Sequence, residues 1–358
     1  MKVFVYLSFV GVLFLVACQS DEQEPQNIDR TTLNELLPNA QGNYSEVLIV
    51  VENKLWKNGL EATFKGVFAE EIKGLYTPEY NFDLVNVPPK AFSSLFKKYR
   101  VIVEVAINPS VSKAKIASKY NHLAKSQLYV KVTAPSVEEL QKCIEDAKQA
   151  LLTKVENYRL HNLRLKLGLN TKSSFTEALQ EKFQAELLIP NSYQLVDDEQ
   201  HLLYFGKQAK ALCESGRNTE CYYQMGFMMY QFPYNGSADS LGSYFSKTFL
   251  TQLRDSLTRV HIVGRDQADR AFMEIEQKFP VEISSTLING YQAVEMKGWW
   301  NMVNATMGGP FKSYLLINEK QGKAYFLDGF VFGPNFSKRD FLMEIEAIVK
   351  SITFNSRS

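Results

Sequence analysis

Two hydrophobic periods alternate along the chain. "EVLIVVE" (Glu46–Glu52) is a continuous apolar run of the kind a sheet buries on both faces. "KNGLEATFKGVFAEEI" follows, with Leu60, Phe64, Val67 and Phe68 at helical spacing. "NFDLVNV" reads as a strand broken by Pro88-Pro89, "KAFSSLFKKY" as a helix, and "RVIVEVAI" and "SQLYVKVTA" as strands. Ser136 and Glu139 then form a capping box after Pro135. Behind it Val137, Leu140, Ile144, Ala147, Leu151, Val155 and Tyr158 make one apolar stripe over about six turns. Gly168 closes that helix. The order β-α-β-α-β-β-α predicts an α/β domain over residues 44–170.

A second unit, residues 171–358, begins after the polar "NTKSS". "FTEALQEKF" predicts a short helix, "LIPNSYQLVDDEQHLLYFGK" two strands around a polar hairpin turn at "VDDEQ", and "CYYQMGFMMYQF" a third strand. "SADSLGSYFSKTFLTQLRDSLTRVHI" is amphipathic, with Leu241, Tyr244, Phe245, Phe249, Leu253 and Leu257 on one face. Four more strands and a capped helix, "SKRDFLMEIEAIVKSI", complete it. The fold class is α/β (α+β): two α/β units, the second a mostly antiparallel sheet covered by helices.

Ahead of both units, Val3–Ala17 is an uncharged 15-residue run behind Lys2. At 1.5 Å per residue it falls short of a roughly 30 Å bilayer core, and its position marks a signal peptide, residues 1–17. Its end, Leu15-Val16-Ala17-Cys18, resembles the lipobox of bacterial lipoproteins. That resemblance implies that Cys18 becomes the lipidated (palmitate-bearing) first residue and a membrane anchor, with residues 18–43 as a polar tether. Gln19 follows in place of the aspartate that resembles an inner-membrane retention signal, which implies outer-membrane placement. Ser20-Asp21-Glu22 looks like the acidic surface-export signal of Bacteroidetes lipoproteins, so periplasm-facing and surface-facing placement both stay open.

Composition narrows the partners. Without Lys2, 39 basic side chains face 39 acidic ones, so no net field draws nucleic acid. The four histidines, His122, His161, His201 and His261, lack zinc-ligand spacing, and no H-E-x-x-H, G-x-S-x-G, G-x-G-x-x-G or P-loop occurs. No metal, cofactor or catalytic residue is therefore expected. The acids of "VDDEQ" lack the alternation and turn glycine of a calcium loop. Cys213 and Cys221 bracket "ESGRNTE", and a hairpin disulfide and two free thiols are equally open readings. Cys143 reads as a small core residue.

The densest unusual chemistry is "MKGWWNMVNATMGGPF", which holds two of the three tryptophans. In a strand Trp299 and Trp300 point to opposite faces. If one is core, the other lies under a helix or on a concave aromatic platform. The second case makes Asn301 and Asn304 polar contacts for glycan or peptide, with Gly308, Gly309 and Pro310 shaping the turn.

The "LIPNSYQL" opening, the central amphipathic helix, "INGYQA" and the final "EAIVKSI" helix resemble the fold shared by the photosystem protein PsbP and the Ran-binding protein Mog. That likeness implies a binding module. The lipobox, "GWWNMVNATMGGPF" and "DGFVFGPNFSKRDFLMEIEAI" together resemble an uncharacterised Bacteroidetes lipoprotein family, domain of unknown function 4837. The expected function is a lipid-anchored, non-catalytic envelope protein that binds a partner protein, glycan or peptide. The alternative is an envelope hydrolase acting on glycan, peptide or ester through an unrecognised site.

Overall fold

The computed structural model describes residues 36–214, 219–236, 241–264 and 270–355. The α/β class holds: helices cover two large sheets. The first sheet contains β1 (Glu46–Val50), β2 (Asp83–Val87), β3 (Val101–Ile107), β4 (Lys115–Tyr120) and β5 (Leu128–Ala134), in the order β2-β1-β3-β5-β4. Its first four members run parallel and β4 is antiparallel at the edge. Parallel strands lie buried on both faces, which is why β1 and β3 read as near-continuous apolar runs. One face is covered by α1 (Glu61–Phe68), α2 (Val137–Asp146) and the start of α3 (Lys148–Gly168).

Two local expectations fail here. "KAFSSLFKKY" forms two short 3₁₀ turns, Pro89–Ala91 and Phe96–Lys98, whose Phe92 and Phe96 pack against the opposite face of the sheet. The continuous helix breaks at Ala147 (φ −95°, ψ 6°), although the predicted stripe stays on the core side across the break. Nothing in the side-chain pattern explains that break. The cap stands: Ser136 Oγ accepts from the Glu139 N–H at 3.2 Å.

The second sheet is antiparallel. It contains β7 (Gln194–Glu199), β8 (Leu202–Leu212), β9 (Glu220–Pro233), β10 (Phe272–Ile275), β11 (Glu282–Ile288), β12 (Tyr291–Val303), β13 (Gly308–Asn318) and β14 (Lys323–Phe332). The order is β10-β12-β13-β14-β9-β8-β7, with β11 also on β12, and a separate short pair joins β6 (Ala185–Glu186) to β15 (Thr353–Phe354). "VDDEQ" is not a turn: Asp197–Glu199 belong to β7, and the hairpin turns at Gln200–His201.

Helix α5 (Lys247–His261), capped by Ser246, covers one face, and its predicted apolar residues join Trp300, Phe311 and Leu315 in one cluster. Beneath it Arg254 and Asp328 form a fully buried pair at 2.8 Å, with Ser313 Oγ donating to Asp328 at 2.5 Å and Phe311 under the guanidinium. Removing either partner of such a pair would leave an uncompensated buried charge. Helices α4 (Ser173–Phe183) and α6 (Arg339–Val349) cover the other face. A Cβ on Gly329 would lie 2.4 Å from Ile345, so glycine lets α6 sit directly on β14.

Candidate functional site

Trp299 and Trp300 do part to opposite faces. Trp300 is 1% exposed, packs edge-on to Phe330, and donates its indole N–H to the Val331 carbonyl at 3.2 Å. The β13–β14 register stops at Phe311↔Phe330, and the next β13 residue, Pro310, has no N–H to offer. The indole thus supplies a donor where the ladder loses one. Gly309 permits the approach, because a Cβ there would lie 1.9 Å from the Val331 oxygen. Trp300, Gly309 and Pro310 are a structural joint.

Trp299 is half-buried. Phe279 lies 5.4 Å from its ring, Tyr76 lies 6.5 Å away, and Tyr76 meets Phe279 edge-on. Tyr76 is 75% exposed and stands on the segment between α1 and β2, so the aromatic surface draws on both halves of the chain. Gly308 lies at the foot of Trp299: a Cβ would come within 3.3 Å of its indole nitrogen. Asn301 shares a strand face with Trp299, and its Oδ1 is buried without a hydrogen-bond partner among the described residues. Asn304 sits exposed in the β12–β13 turn with φ 60°, so its backbone serves the turn.

The Tyr76 segment is held by a clamp. Glu79 accepts from Ser337 Oγ at 2.6 Å and from the Lys338 and Arg339 N–H groups at the start of α6. Helix α6 has no side-chain cap from its own residues, contrary to expectation; a carboxylate from the other half of the chain fills that place. Arg339 reaches the Tyr80 carbonyl and Asp83, while Asp340 accepts from Asn43 and Ser45. Burial pushes the Asp340 carboxyl up, yet the Asn43, Ser45 and Arg339 contacts hold it below its usual range. Leu75 packs into the second sheet's core beside this clamp.

A charged seam lies further along the Trp299 face of β12. Lys312 sits between Glu346 (2.6 Å) and Glu295 (3.5 Å), and Lys297 and Lys350 close the ends. Burial raises the Glu346 carboxyl, but Lys312 and Lys350 outweigh it and hold the group far below its usual range. Grooves on the described surface include two that Trp299 does not line. One lies between Leu165, Leu169 and Leu188, the other between Trp56, Tyr80 and Phe82.

Cys213 and Cys221 are disulfide-bonded across the β8–β9 hairpin. Cys143 is half-buried on α2. Cys18 lies outside the described residues. At the opposite edge, His261 meets Asp197 and Glu199, a grouping that spacing along the chain did not expose.

The family model described as "Domain of unknown function (DUF4837)" matches residues 172–351, half of the chain and all of the large antiparallel sheet. The chain belongs to this family. A second model, "Domain of unknown function (DUF8532)", matches residues 40–166. No curated protein matches. Among solved structures, a crystal structure from Bacteroides thetaiotaomicron VPI-5482 matches at 13% identity and a TM-score of 0.25, covering 49% of this chain and 46% of that one. That match spans under half of the other chain's length and carries no argument about fold or function. The DUF4837 description assigns no activity.

Proposed function

We propose that this DUF4837 chain is a lipid-anchored outer-membrane protein that binds a glycan or peptide without catalysing its conversion. The observation carrying the binding role is the Tyr76–Phe279–Trp299 cluster, aromatic area left open on the surface and assembled from two separate parts of the chain. Exposed aromatic rings suit ligands with flat apolar faces. The helix-covered antiparallel sheet supports the likeness to PsbP and Mog, a scaffold for binding.

The anchor rests on Leu15–Cys18 and on the need for a thiol to form the thioether. No helix among the described residues is long and apolar enough to cross a membrane. Metabolic labelling with a palmitate analogue tests it: wild type incorporates label, and Cys18→Ser accumulates as an unlabelled precursor. Labelling of Cys18→Ser equal to wild type refutes the anchor. Binding is tested by tryptophan fluorescence against peptidoglycan fragments, soluble glycans and peptides. Saturable quenching is expected in wild type and not in folded Trp299→Ala or Tyr76→Ala. Quenching that survives both substitutions assigns the ligand to another surface.

A further inference from the structure

We propose that Asp197, Glu199 and His261 form a binding site for one divalent transition cation of the zinc class. The site is separate from the aromatic surface and does not depend on it. The imidazole Nδ1 lies 2.7 Å from Asp197 Oδ2 and 4.0 Å from Glu199 Oε1, and one donor atom from each residue falls within 4.8 Å of the others.

The fold aims these groups. Before Val196, β7 follows the simple alternation in which Leu195 packs into the α6-side core, opposite Phe205. A β-bulge shifts the register between Leu195 and Asp197, so Asp197 faces Tyr204 and Glu199 faces Leu202, both of which border the α5-side core. Without the extra residue, Asp197 and Glu199 would take Leu195's side. Gly206 makes room for the bulge, since a Cβ there would lie 3.0 Å from Val196 Cγ2. The third donor is not a surface acid. His261 stands in the last turn of α5, with a side chain only 9% exposed and its Nδ1 turned to both carboxylates.

Charge points the same way. Lys182 pairs with Asp198 and takes the Glu199 backbone carbonyl, while Arg259 pairs with Glu274. Among the described residues neither Asp197 nor Glu199 has a lysine or arginine partner. Two carboxylates thus share one imidazole, leaving an excess of one negative charge if the ring is protonated and two if it is neutral.

The donor set narrows the ion. Calcium and magnesium take oxygen ligands, whereas an imidazole nitrogen beside two carboxylates suits zinc-like cations. Metal–ligand distances of about 2.0–2.2 Å require donor atoms to stand roughly 3–3.5 Å apart. The exposed Glu199 can swing inward from 4.0 Å, and the His261–Asp197 contact has only to open slightly from 2.7 Å. Three protein ligands would leave an open position.

The test is equilibrium dialysis of the untagged, chelator-treated full chain against ZnCl₂, with Co²⁺ absorption reporting coordination. One ion per chain is expected. His261→Gln and Glu199→Gln should each weaken binding by at least about tenfold, and His122→Gln should leave it unchanged. Glu199 is exposed, so its variant retains the fold even if the His261 variant does not. Absence of saturable uptake by wild type, or Glu199→Gln binding equal to wild type, overturns the proposal.

Discussion

Neighbouring tryptophans with the same side chain do different work because the strand turns them apart. Trp300 fills core volume and completes a backbone hydrogen bond; Trp299 contributes surface. Removing a buried tryptophan side chain costs about 3–5 kcal/mol through lost transfer energy and the cavity left behind. Trp300→Ala should therefore lower unfolding free energy by about that amount in urea titration, with the Val331 carbonyl losing its donor as well. Trp299→Ala should stay near wild-type stability while losing ligand quenching. Equal destabilisation by both would mean that Trp299 is a core residue too. The parting of the two rings was legible from the strand period alone. What covers Trp299 was not, because Phe279 and Tyr76 arrive from distant parts of the chain and carry no local signal. The same limit hid His261 and Asp197, which meet across 64 residues.

At the scale of elements, strong periodicity predicted well and weak periodicity did not. The stripes of α3 and α5 and the apolar runs of β1, β3 and β14 appear where spacing placed them. Strand β4 escaped notice because "KIASKY" is almost wholly exposed and lacks an apolar face. Helix α6 shows a subtler failure: its start looked self-capped, yet Glu79 supplies the acceptor from 259 residues away. A carboxylate on free N–H groups at a helix start is worth about 1–2 kcal/mol. Glu79→Gln should destabilise by that order and loosen the Tyr76 segment, read as faster amide exchange at residues 70–80. Unchanged exchange there would show that Leu75 packing alone holds the segment. The same helix sets an acid limit. The Glu346 carboxyl is held below its unfolded value, so its contribution is complete above about pH 4.5 and declines as pH falls further. Thermal midpoints measured from pH 7 to pH 3 should begin to drop there, and less steeply in Glu346→Gln.

For the whole molecule, α3 decides how separable the halves are. The apolar pattern assigns the entire helix to the first unit, with a division at residues 170 and 171. In the structure Leu151, Leu152, Val155 and Tyr158 serve the first core, while Leu160, Leu163 and Leu167 enter the second, among Phe183, Ile345 and Val349. Periodicity shows which face of a helix is buried but not which core buries it. The energetic consequence is large. Each leucine contributes about 1.5–3 kcal/mol on burial, so the three together approach the 5–15 kcal/mol that separates a typical domain from its unfolded state. The Glu79 clamp and the Asp340 bonds to Asn43 and Ser45 add further cross-links. A fragment starting at residue 171 should therefore be poorly folded, with weak near-ultraviolet dichroism and exposed apolar surface that binds dye. Extending it back to Lys148 should restore a cooperative melt, because the helix then supplies the missing leucines to the second core. If the shorter fragment melts as cooperatively as the full chain, α3 is an accessory to the second core and not part of it.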